Sequence, residues 1–174
     1  MANATLVPVE LYLGRTDEYE PDAEYVDGVI EERPMGEFDH ATWQKAIDQW
    51  FTSHQMEWNI RVRCELRVQT GESHYRVPDV VVWDRSRARE SFLTHPPIAV
   101  FEVLSPEDRI ARLMLKLEDY ARMGIQTIRI INPDTKAISR YENGALIPLE
   151  SIVEQLPGSR CSIDWMKVQQ LLDI

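Results

Sequence analysis

Asp79 and Glu102 stand where carboxylates are rarely tolerated. Asp79 falls within Val77-Pro78-Asp79-Val80-Val81-Val82, and Glu102 within Ile98-Ala99-Val100-Phe101-Glu102-Val103-Leu104. A carboxylate is almost never fully buried unless it is paired or bound to a cation. Two of them on adjacent strands repel each other unless one takes a proton or a divalent cation lies between them. Hard oxygen ligands on a rigid sheet, with positions left open for water, suit Mg²⁺ or Mn²⁺. The alternative is that each acid caps a strand or pairs with one of the 19 Lys and Arg residues.

The elements that must position these acids follow from apolar spacing. Residues 25–32 read as two short strands around the Asp27-Gly28 turn. Residues 39–54 form the first strong helix, with Trp43, Ala46, Ile47, Trp50 and Phe51 on one stripe and Asp39 as its N-cap. Residues 59–69 alternate Ile60, Val62, Cys64, Leu66 and Val68 against Arg61, Arg63, Glu65 and Arg67, the period of a half-exposed strand. After a turn at Gly71 to His74, residues 75–83 return as its hairpin partner, and residues 98–104 form a third, buried strand.

Ser105-Pro106-Glu107-Asp108 reads as a helix start, with Ser105 as N-cap and Pro106 at the first helical position. The helix then runs along Ile110, Leu113, Met114, Leu117, Tyr120 and Ala121 and stops at Gly124. Residues 126–131, 137–141 and 146–149 are strands, and residues 163–172 a last helix. The strand–helix–strand unit over residues 98–131 is a crossover, which predicts two parallel strands. The result is an α/β domain on one mixed sheet.

Pro78-Asp79 and, after a loop, Glu102-Val103-Leu104-Ser105-Pro106 resemble the Uma-two-type restriction endonuclease family of the PD-(D/E)XK nuclease superfamily. The resemblance spans about residues 25–148. It takes in Asp27-Gly28, Gly36-Glu37-Phe38-Asp39-His40, Lys116 with Tyr120 and Gly124, and Asn132-Pro133-Asp134. It implies a restriction-endonuclease-like fold, a central mixed β-sheet flanked by helices, over residues 25–174 after a lead-in of residues 1–24. It also implies metal-dependent hydrolysis of DNA phosphodiester bonds. Asp79 and Glu102 would hold Mg²⁺ (or Mn²⁺), helped by the Val103 carbonyl, and Lys116 would orient water or stabilise the transition state. A homodimer is implied as well.

Two departures from the family pattern matter. The superfamily's usual lysine lies two residues after the second acid, where this chain has Leu104; in this family it moves to the following helix, which implies Lys116. That lysine sits at the edge of the helix's apolar stripe, and the alternative is an ordinary surface lysine. An acid commonly follows the Asp-Gly turn, where this chain has Val29; Glu31 or Glu32 is the candidate replacement. His40 matches the family at the first helix, against a plain polar cap. Glu65 is placed beside Asp79, against an ion pair with Arg63 or Arg67. His54, His74 and His95 show no metal-ligand spacing.

Composition bounds the rest. At 174 residues and 20.3 kDa the chain fits one domain. The longest apolar runs are four residues, so no membrane span is expected. The first residues carry neither a basic region nor a hydrophobic stretch, and Cys64 and Cys161 form no zinc or disulfide framework, which fits a reducing cytoplasm. The net charge of −10, from 29 Asp and Glu against 19 Lys and Arg, counts against a protein that coats nucleic acid. A metal and a few arginines can still reverse the field at one site. Arg85, Arg87, Arg89, Arg109 and Arg112 are the phosphate-contact candidates, with a solvated loop as the alternative. The rival readings are a catalytically degenerate nuclease fold serving as a homodimeric interaction module, and a metal-dependent hydrolase acting on something other than DNA.

Overall fold

The apolar runs in the middle of the chain become its central strands. The computed structural model describes residues 5–14, 23–34 and 36–173. In chain order these form α1 (Val9–Gly14), β1 (Glu24–Val26), β2 (Val29–Glu31), α2 (Phe38–His54), β3 (Ile60–Cys64), β4 (Val68–Gly71), β5 (His74–Arg76), β6 (Val80–Asp84) and β7 (Ala99–Val103). Then follow α3 (Ile110–Met123), β8 (Thr127–Asn132), β9 (Ala137–Glu142), β10 (Ala145–Pro148), β11 (Val153–Gln155), β12 (Ser162–Asp164) and α4 (Trp165–Gln170).

The main sheet has six strands in the order β10-β9-β8-β7-β6-β3. Only β7 and β8 are parallel, as the crossover through α3 requires. Both faces of β6 and β7 are covered, which is why these strands read as nearly continuous apolar runs. On one face Val62, Val80, Val82, Ala99 and Phe101 pack against Trp43, Ile47 and Phe51 of α2. On the other, Val81, Trp83, Val100 and Ile128 meet Leu113, Leu117 and Tyr120 of α3. Fully burying one such side chain stabilises by about 1.5–3 kcal/mol, so these two layers anchor the sheet. The fold is mixed α/β with a central sheet flanked by helices, consistent with restriction-endonuclease-like architecture.

A second, four-stranded sheet, β2-β1-β5-β4, departs from expectation. Residues 59–69 are not one strand. Glu65 adopts a left-handed φ of 56°, and the chain turns there from β3 in the main sheet to β4 in the small one. The returning chain makes the same switch between β5 and β6, and the break falls at Val77-Pro78-Asp79. Asp27 and Gly28, with φ of 47° and 88°, make the expected tight β1–β2 turn.

Three further boundaries differ. Asp39 is not the cap of α2; Glu37 holds that position, without a side-chain hydrogen bond. Ser105 does not cap α3, which starts at Ile110. Instead the Ser105 N–H donates to the Asp108 carboxylate (2.7 Å), and the Asp108 N–H donates to the Ser105 carbonyl (3.0 Å), closing a separate turn. The tail helix begins at Trp165, behind the short pair β11–β12, with Asp164 accepting from the Lys167 N–H. Within residues 1–24, α1 is firmly packed: Tyr12 is buried, stacks on Tyr25 at 5.0 Å and donates from its hydroxyl to the Ala23 carbonyl.

Candidate active site

The β6–β7 pairing brings the two acids together. Val80 lies opposite Phe101 at the end of this ladder, so Asp79, just before β6, and Glu102, one residue on along β7, come next to each other. The Val103 N–H donates to the Asp79 Oδ2 (2.7 Å), fixing the aspartate against β7. A strand residue's N–H and C=O point the same way, so the Val103 carbonyl is also directed toward the Asp79 side. Glu102 faces α3. Its Oε2 accepts from the Lys116 Nζ (2.9 Å) and its Oε1 from the Tyr120 hydroxyl (2.7 Å). Because α3 starts at Ile110, Lys116 lies only two helical turns in. It is buried, with its ammonium turned inward onto the sheet at the cleft.

A third acid completes the cluster. Glu24 on β1 accepts from the Lys116 Nζ at 2.8 Å, from the Arg76 guanidinium at 3.1 Å and from the Val77 N–H at 2.9 Å. The Lys116 ammonium also donates to the Val77 carbonyl (3.0 Å). Arg33 binds the Asp79 Oδ1, and the His40 Nε2 stands 3.3 Å from the Asp79 Oδ2. Glu24, Arg33, His40, Asp79, Glu102 and Lys116, with Arg109 and Arg112, line an open cleft of about 120 Å³.

Of the residues singled out from sequence, Asp79, Glu102, Lys116 and His40 meet in this cleft, with Val103 alongside. Glu65 borders it: its N–H donates to the Asp79 carbonyl (3.2 Å), and its carboxylate faces Arg33 at 3.6 Å, with neither Arg63 nor Arg67 as its ion-pair partner. Glu32 is outside. It is exposed, and only its carbonyl is engaged, by Arg112 at 3.0 Å.

The electrostatics of the cleft are uneven. Burial raises the Asp79 pKa, but the His40 hydrogen bond and the Arg33 and Lys116 charges outweigh it and hold the carboxyl at about 2. For Glu102 the balance reverses. Burial raises its pKa, Lys116 opposes, and the Asp79 and Glu24 carboxylates push it further, to about 7. Lys116 is lowered by burial but raised overall by Glu102 and Glu24, and it stays charged. The Asp79 hydrogen bond and charge likewise raise His40 against its own burial.

A model of the Uma2 family, described as "Putative restriction endonuclease", matches residues 9–161. The chain belongs to this family. No curated protein matches it. Among solved structures, this Uma2 chain resembles a "putative nuclease belonging to DUF820 from Anabaena variabilis ATCC 29413". The two share 22% identity over 88% of this chain and 92% of the other, with a TM-score of 0.75, a likeness of fold.

Sequence reasoning gave no site role to three residues that this Uma2 protein places at the cleft or against its acids. Glu24 stands between Ala23 and Tyr25, both buried, and this short framing was the only signal for it. Arg33 lies in a loop with no period to mark it. Tyr120 reads as one more apolar position on α3, although its hydroxyl holds Glu102. Among the described residues, no group of three or more His, Cys, Asp and Glu side chains is arranged to hold a metal ion. The donor chemistry nonetheless fits a hard divalent cation. Asp79, Glu102 and the Val103 carbonyl offer oxygens to one open cleft, and a bound cation would offset the burial that raises Glu102.

Proposed function

We propose that this protein is a metal-dependent nuclease that hydrolyses DNA phosphodiester bonds in the cleft of Asp79, Glu102 and Lys116. The observation that carries the reading is a set of buried carboxylates in a cleft open to solvent, one of them raised by burial to about 7 beside a lysine. Family membership supports the same reaction class. Asp79 and Glu102 would hold Mg²⁺ or Mn²⁺, with the Val103 carbonyl beside them. When bound, such an ion lowers the pKa of water and offsets charge developing on the phosphate.

The chain's own groups do the remaining work. Lys116 is fixed by Glu102, Glu24 and the Val77 carbonyl, so its charge needs no reorganisation when the phosphate becomes more negative. Tyr120 holds the other Glu102 oxygen and so sets the carboxylate's orientation. Arg109 and Arg112 line the cleft and would meet a phosphate, which Arg guanidiniums match in pairs, with Arg112 giving up its contact to Glu31. A cytoplasmic homodimer with DNA as substrate belongs to the same reading.

Plasmid relaxation with Mg²⁺ or Mn²⁺ tests it. Wild type should nick or linearise the plasmid, and Asp79→Ala, Glu102→Ala and Lys116→Ala should not. Calorimetry should also show Mg²⁺ binding lost in Asp79→Ala; undiminished binding there refutes the assignment. One observation favours a second reading, a degenerate nuclease fold kept as a homodimeric interaction module: both Asp79 oxygens are already engaged by Arg33, His40 and the Val103 N–H. Metal-dependent cleavage of no single- or double-stranded substrate would favour that alternative.

A further inference from the structure

The main sheet ends at β3, and this edge carries a feature that the acid cleft does not use. Ile60 and Val62 point into the α2-side core, so Arg61 and Arg63, which alternate with them, stand on the α3 side. Arg61 lies opposite Trp83 and Arg63 opposite Val81, both in the α3-side core. Together with Arg89, Leu66 and Leu93 they line a groove of about 300 Å³. Arg85 and Arg87 follow in the loop that leads from β6 to Arg89.

Among the described residues, none of Arg61, Arg63, Arg85, Arg87 and Arg89 lies within 4.0 Å of a carboxylate oxygen. In a chain with 29 acids against 19 Lys and Arg, this leaves a run of arginines without ion-pair partners, although Arg63 and Arg87 act through space on Asp48 and Asp84. The acids at the groove are engaged elsewhere. Glu90 pairs with His95 at 3.0 Å and accepts from the Thr94 hydroxyl at 2.6 Å, while Glu65 faces Arg33.

The groove adjoins the acid cleft. Glu65 lines the groove, its partner Arg33 lines the cleft, and the pair forms the divide between them. Arg63 stands across from Val81, two residues past Asp79. That places it about 7 Å along the strand and one strand spacing, about 5 Å, from the aspartate. The geometry points to a phosphodiester track: the backbone of the strand whose scissile bond lies in the acid cleft passes the Arg33–Glu65 divide and runs along Arg61, Arg63 and Arg89. The direction of the track rests on the nuclease reading, whereas its occupant follows from charge. A polyanion needs positive charge to meet, and in a chain of net charge −10 this groove offers three arginines free of carboxylate partners.

Fluorescence anisotropy of a short fluorescein-labelled DNA duplex, in EDTA and across a salt series, tests the track. Arg61→Ser/Arg63→Ser should weaken binding roughly tenfold and Arg89→Ser roughly threefold, with the salt slope falling by about 0.9 for each phosphate no longer neutralised. Arg61→Lys/Arg63→Lys should keep the slope. Arg89 lies in a loop, so its variant reads binding without touching the edge strand, and thermal melts confirm folding of both. Unchanged affinity and slope in both Ser variants overturns the track, as does wild type that fails to bind. With metal removed, binding is read apart from cleavage. A duplex held through the arginines but never cut in Mg²⁺ defeats the nuclease reading and leaves the track standing. Cleavage with undiminished binding in the variants does the reverse.

Discussion

Glu24 belongs to two buried polar clusters that differ in kind. On one side is Arg76, whose guanidinium donates to Asp119 at 2.7 Å, to Glu24 at 3.1 Å and to Glu31 at 3.2 Å. His74 closes that cluster against Asp119 at 3.0 Å, tying α3 to β1, β2 and β5. On the other side is the cleft of Asp79, Glu102 and Lys116. Both clusters are desolvated, and both would be costly if left unpaired. In the first, one cation satisfies the acids around it, and their charges outweigh burial to deepen its own charged state. In the second, burial outweighs the Lys116 charge and, with the Asp79 and Glu24 carboxylates, drives one carboxyl to about 7, and the walls open to solvent. Burial of ions therefore does not by itself mark a site. A buried carboxyl whose cations do not offset its burial, with access to solvent, does.

The sharpest way to break this comparison is to remove the Arg76 side chain. Arg76→Ala leaves Asp119 buried without its main cation and Glu24 with Lys116 alone, and the loss should be about 3–5 kcal/mol in urea denaturation. A loss below about 1 kcal/mol would mean that the cluster is not what locks α3 to the small sheet.

Glu102→Gln comes next and acts in the opposite direction. The fold raises the Glu102 pKa above its ordinary 4.5, so folding prefers the protonated acid. The stability this confers is complete below about pH 4.5 and is lost as pH rises through about 7. In metal-free buffer, wild type should lose on the order of 3 kcal/mol across that window, and Glu102→Gln should be spared that loss. His40, also raised, loses stability in the same direction above its usual range, so only the difference between the two proteins isolates Glu102. Identical pH profiles would show that Lys116 fully compensates the acid.

How far these regions were legible in the sequence follows from what each depends on. Asp79 and Glu102 were visible because an acid interrupts an apolar run, and the strand pairing that joins them follows from the same runs. Lys116 was visible only through resemblance, since an amphipathic wheel does not say whether an edge lysine snorkels outward or turns in. Glu24 and Arg33 were not legible. The first sits in a three-residue strand amid acidic sequence, and the second in a loop placed by tertiary contacts alone. The switch of sheets at Glu65 was hidden for a related reason. Alternation with period two continues through it, and that period reports which face a residue takes but not which sheet it joins. The Arg76 cluster escaped because its four elements are far apart in the chain.

The smallest effect should come from the outer edge of the same cluster. Arg122 reaches the buried Asp119 at 3.4 Å and Glu118 at 2.9 Å, yet its side chain is 62% exposed. Water already solvates that guanidinium, and the i,i+4 pair it makes with Glu118 is of the kind worth about 0.3–0.5 kcal/mol. Arg122→Ala should therefore cost no more than about 0.5 kcal/mol, and about 0.5 M NaCl should shrink even that by screening. Arg76 and Arg122 touch the same aspartate, so the two variants differ chiefly in the depth of the cation removed. A loss from Arg122→Ala approaching that from Arg76→Ala would mean that Asp119 depends on total positive charge nearby. The contrast between a buried, satisfied cluster and an exposed pair would then no longer explain what holds α3 in place.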